Sequence, residues 1–282
     1  MTTCAWKNIG CSLQNILPSS WKRIVESWLK EDVPSLDYGG FVVGEKPETA
    51  VLYGKSEGVL AGVPFFEEIF KQLECNVEWC LKEGENISPV MKIAIVRGPA
   101  KNILLGERVS LNIISRCSGI ATKSIFYEYL KKLGYHGVVA GTRKTTPGFR
   151  LVEKYGMLVG GVDPHRFDLR SITKAVEAAR LVGGFSLKIE VEVRSEAEAD
   201  EAILSGADII MLDNFHNDNM KTVAKNLKQK WKNKPKFLLE CSGGITEENA
   251  HEFICNDLDI LSISSIHQGV KHVDFSLKIH QI

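Results

Sequence analysis

Apolar residues in the first third of the chain recur at helical spacing once and then break into short runs. The recurring positions stand at three- and four-residue steps before Pro34, which predicts one amphipathic helix. They are Trp21, Ile24, Val25, Trp28 and Leu29. Short apolar runs bounded by glycine then predict strands at 39–43, 50–53, 58–61 and 92–96, with a helix at 64–73. These elements indicate a small α+β domain.

A different pattern starts near Gly106. A helical segment at 107–133 leads into short apolar runs that alternate with helical stretches. Strands are predicted at 138–140, 157–159, 187–193, 209–212, 237–240 and 260–263. Helices are predicted at 149–155, 172–181, 196–204, 217–231 and 246–254. This alternation favours right-handed βαβ crossovers, and hence a parallel α/β sheet that is either open or closed into a barrel.

The run at 187–193 bears on that choice, because its apolar and charged residues alternate strictly. Ile189, Val191 and Val193 alternate with Glu190 and Glu192. A central strand of an open parallel sheet is normally apolar on both faces. A charged face turned into a ligand-filled barrel mouth explains the pattern, and an exposed edge strand is the alternative.

The composition limits which binding partners and which cellular compartment we expect. The chain has 282 residues and a formal net charge of +0. The overall charge therefore gives no reason to expect a nucleic acid or an anionic membrane as a binding partner. No apolar run is long enough to span a bilayer, and residues 1–10 lack the apolar core of an export signal. The 7 cysteines are odd in number and scattered, which favours reduced thiols. We expect a cytoplasmic protein.

Candidate chemistry lies after the predicted strands, because ligands of parallel α/β sheets bind beyond the carboxyl ends of the strands. Polar or glycine-rich segments stand at most of these ends. They are Thr142-Arg143-Lys144, His165-Arg166, Glu192, Asp213-Asn214, Ser242-Gly243-Gly244 and Ser264-Ser265.

Each group suits one part of a phosphorylated sugar substrate or its acceptor. The cations Arg143 and Lys144, followed by a Thr-Thr-Pro-Gly turn, suit an anion. Glu192 and Asp213 stand 21 residues apart, one βα unit, and suit ribose hydroxyls or Mg²⁺. The glycine turn at 242–244 suits a phosphate. The pattern describes a phosphoribosyl donor beside an anionic acceptor, and the alternative is that the acids only pair with neighbouring cations.

The segment Thr142-Arg143-Lys144-Thr145-Thr146-Pro147-Gly148 resembles the signature of the quinolinate phosphoribosyltransferase family. Further likenesses extend along nearly the whole chain, and they resemble the vertebrate-type enzymes. The matching segments are residues 106–108, 111–112, 116–122, 153–156, 165–166, 212–215, 242–244 and 274–278.

The resemblance implies a two-domain transferase of NAD biosynthesis. It implies an N-terminal α/β sandwich at 1–113, joined by 270–282, and an incomplete α/β barrel at 114–269, the type II phosphoribosyltransferase fold. Substrates would be quinolinate and phosphoribosyl diphosphate with Mg²⁺, and no organic cofactor would be required. It further implies a homodimer, or a hexamer built as a trimer of dimers, with active sites shared between subunits.

The family also implies a role for each matching residue. Arg108 would reach into the partner subunit's barrel, Arg143, His165 and Arg166 would bind the quinolinate carboxylates, and Lys144 would approach the diphosphate. The substrate-binding set is Arg108, Thr142, Arg143, Lys144, His165, Arg166, Glu192, Asp213, Ser242, Gly243, Gly244 and Ser264. Lys144, Glu192 and Asp213 would be catalytic, and Glu192 and Asp213 would serve Mg²⁺, directly or through the substrate.

Two departures from the family pattern stand out. The family's Lys-Asp-Asn-His segment, whose lysine touches both substrates, is absent from the sequence, and Lys188 is the candidate to replace it. Ser264 stands where the family favours glycine, which narrows the approach of backbone to phosphate. The absent segment motivates one alternative, a catalytically impaired subunit that binds or regulates. A transferase for nicotinate or another pyridine is a further alternative.

Overall fold

The computed structural model describes residues 12–165, 176, 188–233 and 236–279. Its α-helices are α1 (Trp21–Asp32), α2 (Tyr38–Val43), α3 (Val63–Gln72), α4 (Ala100–Phe126), α5 (Glu128–Lys132), α6 (Arg150–Val159), α7 (Glu196–Leu204), α8 (Asn217–Lys230) and α9 (Ala250–Phe253). Its strands are β1 (Pro47–Gly54), β2 (Gly58–Val59), β3 (Asn76–Trp79), β4 (Asn86–Ile87), β5 (Met91–Pro99), β6 (Val138–Ala140), β7 (Glu190–Val193), β8 (Ile209–Asp213), β9 (Leu238–Ser242), β10 (Ile260–Ser262) and β11 (Phe275–Ile279).

The chain divides into two compact units. The first comprises the described residues of Met1–Ile125, Thr146–Gly161 and Gly269–Ile282, and the second comprises those of Phe126–Thr145 and Val162–Gln268. The domain boundaries at 113 and 270 stay a prediction from the sequence. No helix in the described ranges is long and apolar enough to cross a membrane.

The first unit is built on a four-stranded antiparallel sheet in the order β11-β1-β5-β3. Strand β1 lies between β11 and β5, and its residues Ala50 and Leu52 are fully buried. Phe66 and Phe70 of α3 belong to the same core as these two residues. An antiparallel sheet with helices packed on it confirms the predicted α+β class of the N-terminal part.

Two predictions for the N-terminal part of this unit are wrong. Residues 39–43 form no strand, because the Asp37 carboxylate accepts a hydrogen bond from the Gly40 amide at 2.9 Å and starts helix α2. The long helix begins at Ala100 rather than at residue 107 and ends at Phe126. The edge strands of the sheet, β3 and β11, are not among the predicted strands.

Glu83 holds the amino terminus of α3 from outside the helix. Its two carboxylate oxygens accept hydrogen bonds from the Gly62 and Val63 amides, at 2.7 and 3.0 Å. Burial raises the pKa of Glu83 to about 8, although these amides and the Tyr155 hydroxyl favour the ionised form. The carboxyl group therefore keeps its proton in the folded chain at a pH where the unfolded chain has lost it.

We expect the free energy of unfolding to fall as pH rises from about 5 to 8, because the unfolded state binds fewer protons than the folded state in this window. The limiting slope is about 1.4 kcal/mol per pH unit. Glu83→Gln removes this slope, which urea unfolding at a series of pH values measures. The exposed neighbour Glu85 is the control, and an equal slope in Glu83→Gln and Glu85→Gln would contradict the assignment.

The second unit is built on a five-stranded parallel sheet in the order β6-β10-β9-β8-β7. One face is apolar and fully buried, as at Val191, Ile210 and Leu239. Period-two alternation places polar residues on the opposite face, among them Glu192 and Glu240. The parallel arrangement confirms the α/β prediction. Strand β7, which carries the alternating Glu190 and Glu192, is the last strand in the described order, and neither glutamate is exposed.

The predicted strand at 157–159 is wrong, because these residues are the last turn of α6. Val152, Tyr155 and Val159 stand at helical spacing and are all buried, so the helical face continues through the segment. The next backbone bridge to the sheet comes later, between Asp163 and Ala140 of β6. Of the predicted helix at 172–181, only Val176 lies inside the described residues, where it is helical and buried.

Candidate active site

The carboxyl ends of the five parallel strands bring most of the predicted residues of the second unit to one edge. Strand registers pair Asp213 with Ser242 and Ser242 with Ser262, which in turn pairs with Ala140. Glu192 pairs with Met211, one layer below Asp213 on the neighbouring strand. The carboxylates, the glycine turn after β9 and the basic loop after β6 therefore share one edge of the sheet.

The basic loop leaves β6 through Thr142, which is buried. The Thr142 hydroxyl accepts a hydrogen bond from the Lys144 amide at 3.3 Å and lies 3.4 Å from Nε2 of the fully buried His267. The Gln268 side chain donates to the Lys144 carbonyl at 3.0 Å. These contacts hold the backbone of the loop, whereas the Arg143 and Lys144 side chains are exposed. Two cations on an ordered loop are suited to an anionic ligand.

The Thr146 end of the signature segment is held within the first unit by a buried carboxylate. Glu153, which has no exposed surface, accepts hydrogen bonds from the Thr146 amide at 3.0 Å and the Thr146 hydroxyl at 2.8 Å. Nε and Nη2 of Arg116 donate to the same carboxylate at 3.2 and 2.8 Å. Glu153 therefore links helix α4 to the turn that precedes α6.

His165 faces the interior of the sheet rather than the solvent. Its Nε2 lies 3.1 Å from Oε1 of Glu240 and 3.7 Å from Oε2 of Glu190, and all three side chains are buried. The Ser262 hydroxyl donates to the same Glu240 oxygen at 2.5 Å. The predicted role of His165 at a substrate carboxylate stays a prediction, and its interior contacts are with protein carboxylates.

Glu192 and Asp213 are half-buried and lie on the same face of adjacent strands. The Asn214 side chain donates to Oδ2 of Asp213 at 2.8 Å. Asn214 itself has a left-handed backbone, with φ of 57°, which turns the chain sharply after β8. Two carboxylates in this arrangement offer only oxygen atoms, the donors that Mg²⁺ prefers.

The turn after β9 requires glycine. Gly243 has φ of 104°, and a Cβ atom there would lie 2.3 Å from the Asn214 side-chain oxygen. Gly244 is also left-handed, with φ of 64°, and faces open space. The two turns border a cleft of about 340 Å³ beyond the ends of β8 and β9.

Thr246 does not begin a helix as predicted, because Asn249 closes a turn first. The Asn249 side-chain oxygen accepts a hydrogen bond from the Thr246 amide at 2.7 Å, and its NH₂ group donates to the Gly244 carbonyl at 3.0 Å. Helix α9 starts only at Ala250. A phosphate at this turn would therefore meet loop amides rather than a helix terminus.

The remaining predicted residues are placed as follows. Ser264 begins a short 3-10 helix directly after β10, at the same sheet edge. Arg108 lies on α4 in the first unit, with its side chain 75% exposed and 3.6 Å from Asp32. Arg166 lies outside the described residues. Lys188 is exposed and precedes β7, so it stands at the amino-terminal end of that strand, away from the candidate edge.

Sequence reasoning missed two buried carboxylates that face His165. The sequence pattern predicts Glu240 only as a strand residue and Glu190 only as one position of a charged face. A signal was present, since Glu240 stands two residues before Ser242 in an apolar strand and therefore shares its face. Nothing local to the sequence indicated Glu153 as the anchor of Thr146.

The chain is similar to known proteins along nearly its whole length. Two family models match, one described as the N-terminal domain of quinolinate phosphoribosyl transferase over residues 37–118 and one as its C-terminal domain over 120–278. Relatives named carboxylating nicotinate-nucleotide pyrophosphorylase are 48% identical in Rattus norvegicus, covering 95% of this chain and 94% of the relative. The corresponding figures for Homo sapiens are 47%, 93% and 92%. The solved nicotinate-nucleotide pyrophosphorylase of Francisella tularensis superposes with a TM-score of 0.82 at 28% identity, over 96% of this chain and 100% of that one.

Proposed function

The chain belongs to the quinolinate phosphoribosyltransferase family, and from this premise we propose that it joins quinolinate to phosphoribosyl diphosphate. The products are nicotinate mononucleotide, CO₂ and diphosphate, a step of NAD biosynthesis. The observation that carries the proposal is the match of both domain models together with 47–48% identity to named enzymes over more than nine-tenths of the chain.

The reaction divides into a transfer and a decarboxylation. The pyridine nitrogen attacks C1 of the ribosyl group, the bond to the diphosphate breaks, and the diphosphate leaves with the bonding electrons. The resulting pyridinium ring then accepts the electron pair of the breaking bond as the 2-carboxylate leaves as CO₂, and C2 takes a proton. Because the ring is the electron sink, the chemistry requires no organic cofactor.

The carboxyl-terminal edge of the parallel sheet carries a side chain or a backbone amide suited to each charged part of the substrates. Arg143 and Lys144 on the ordered loop stabilise the substrate carboxylates and the departing diphosphate. Glu192 and Asp213 orient the ribose and oppose the positive charge of the ribosyl centre. Loop amides at Ser242, Gly243 and Gly244 suit the 5′-phosphate, and Ser264 adds a hydroxyl at the next strand end.

Mg²⁺ fits the pair Glu192 and Asp213, because both are half-buried carboxylates on the same face of adjacent strands near their carboxyl ends. When bound with phosphoribosyl diphosphate, the ion supplies positive charge to the leaving group. A loss of activity on removal of Mg²⁺, with the fold intact, tests this part of the proposal.

Turnover by the purified chain tests the function directly, by release of CO₂ and diphosphate from quinolinate and phosphoribosyl diphosphate. We expect turnover, and we expect Lys144→Ala to lower kcat by about 10²-fold or more, because the diphosphate loses a facing cation. Lys188→Ala is the matched lysine control and should behave as wild type. Binding without turnover would favour an impaired regulatory subunit, and stronger competition by nicotinate than by quinolinate would favour a different pyridine substrate.

We further propose a cytoplasmic homodimer, or a hexamer of such dimers, in which Arg108 completes the partner subunit's site. The exposed Arg108 side chain, with one ion-pair contact at 3.6 Å, supports this role. Arg108→Ala and Lys144→Ala would each be inactive alone. Mixing them after reversible dissociation should restore about a quarter of wild-type activity, since a mixed dimer holds one intact site. No recovery in a mixture shown to contain mixed dimers would contradict a shared site.

A further inference from the structure

The signature segment at 142–148 passes from one compact unit to the other. Thr145 is its last residue in the second unit, and Thr146 is its first residue in the first unit. Lys144, which is proposed to face the diphosphate, stands two residues before Thr146, and Arg143 stands three before it. A chain spans at most about 3.6 Å per residue, so the position of Thr146 limits where both cations can lie.

One carboxylate holds both the backbone and the side chain of Thr146. The Thr146 amide donates to Oε2 of Glu153 at 3.0 Å, and the Thr146 hydroxyl donates to Oε1 at 2.8 Å. Thr146 is exposed, so packing constrains it little, and hydrogen bonds to a charged acceptor are the stronger kind. Glu153 therefore determines where the basic loop ends in the first unit.

Glu153 is fixed in turn by Arg116 of helix α4. Nε and Nη2 of Arg116 donate to Oε1 of Glu153 at 3.2 and 2.8 Å, and Nη1 lies 3.4 Å from Nε2 of His272. A guanidinium only donates, so Nε2 of His272 is the acceptor and its imidazole is neutral. Burial and the Arg116 charge both lower the pKa of His272, which favours this neutral form. Contacts on two sides thus orient the guanidinium toward Glu153.

We propose that Glu153 is a positioning residue for the transferase reaction, because it fixes Thr146 and thereby sets the place of Arg143 and Lys144. The inference rests on the proposed function, in which these two cations face the substrates. Glu153 has no exposed surface, so it acts through Thr146 rather than on a ligand. Misplacing such a group by about 1 Å can lower a rate by about 10²-fold, so a loop released at this end loses activity while the protein stays folded.

Thr146→Val tests the role in the reaction, because valine keeps the shape of the side chain and the backbone amide but lacks the hydroxyl. We expect kcat/KM per folded molecule to fall by about tenfold, as for the loss of one hydrogen bond to a charged group. Thr146→Ser retains a hydroxyl and should restore most of the wild-type value. Thr222→Val removes an exposed hydroxyl that donates to the Asp218 carbonyl on α8, and this matched control should leave the kinetics unchanged. A role in stability alone would not lower kcat/KM per folded molecule.

Trypsin measures the order of the loop without any turnover, because it cuts after Arg143 and Lys144, whose side chains are exposed. Cleavage of a native loop follows the population of its open form, so Thr146→Val and Glu153→Gln should be cut there about tenfold faster than the wild type. Cleavage after the exposed Lys55 is the internal reference and should proceed at the same rate in all variants.

Equal cleavage after Arg143 and Lys144 in the wild type, Thr146→Val and Glu153→Gln would overturn the proposal. Faster cleavage with an unchanged kcat/KM in Thr146→Val would also overturn it. Absence of turnover in the wild type would contradict the proposed function, and it is distinguished from a failure of this inference because the cleavage rates are measured without substrates.

Discussion

Replacing Glu153 by alanine should lower the free energy of unfolding by about 3 kcal/mol. The carboxylate is fully buried and accepts four hydrogen bonds, two from Arg116 and two from Thr146. Removing one partner of a buried ion pair leaves the other charge uncompensated, which typically costs about 3–5 kcal/mol. The Arg116 side chain is 24% exposed and regains some hydration, so we expect the lower end of that range.

Urea unfolding of the variant measures this loss, and a second arginine–glutamate pair of the same unit is the control. Arg97 and Glu78 lie 2.7 Å apart with side chains 49% and 62% exposed. Exposed pairs contribute about 0–1 kcal/mol, so Glu78→Ala should change stability little. A loss in Glu153→Ala no larger than that in Glu78→Ala would show that the buried network is not a structural anchor.

Asp213→Asn should lower kcat/KM for phosphoribosyl diphosphate by about 10²- to 10³-fold while the fold is retained. Asparagine preserves the shape of the side chain but removes its charge, which is proposed to face the ribosyl centre and Mg²⁺. The dependence of the remaining activity on Mg²⁺ concentration should shift to higher concentrations, because one of the two carboxylates is gone.

Steady-state kinetics over a range of Mg²⁺ concentrations measures both effects. Asp218→Asn is the control, because Asp218 is an exposed acid in the first turn of α8, five residues from Asp213. It should leave the kinetics unchanged. Wild-type kinetics in Asp213→Asn would remove this carboxylate from the proposed mechanism.

The sequence-based fold prediction is wrong in two short apolar segments. The segments at 39–43 and 157–159 are apolar and only three to five residues long, so strand and helix periods cannot be distinguished in them. At 39–43, the side chain of Asp37 caps the amino terminus of the segment and stabilises a helix. In the second, burial of Tyr155 and Val159 against the first unit's core extends α6. Longer periodic segments, such as α3 and α8, were predicted to within one residue at each end.

By itself, the sequence determined the fold class, the family and the edge of the parallel sheet at which the polar residues gather. The fold class and the edge follow because strand alternation is periodic along the chain and parallel strands place their carboxyl ends together. The family follows from the resemblance of the segment at 142–148 to the family signature.

Only the tertiary structure decided which buried groups meet. His165 faces Glu240, which is 75 residues away, and Glu153 binds Arg116, which is 37 residues away. No local pattern encodes these pairs. Each is selected because a buried charged or polar group is costly unless the fold brings a partner to it.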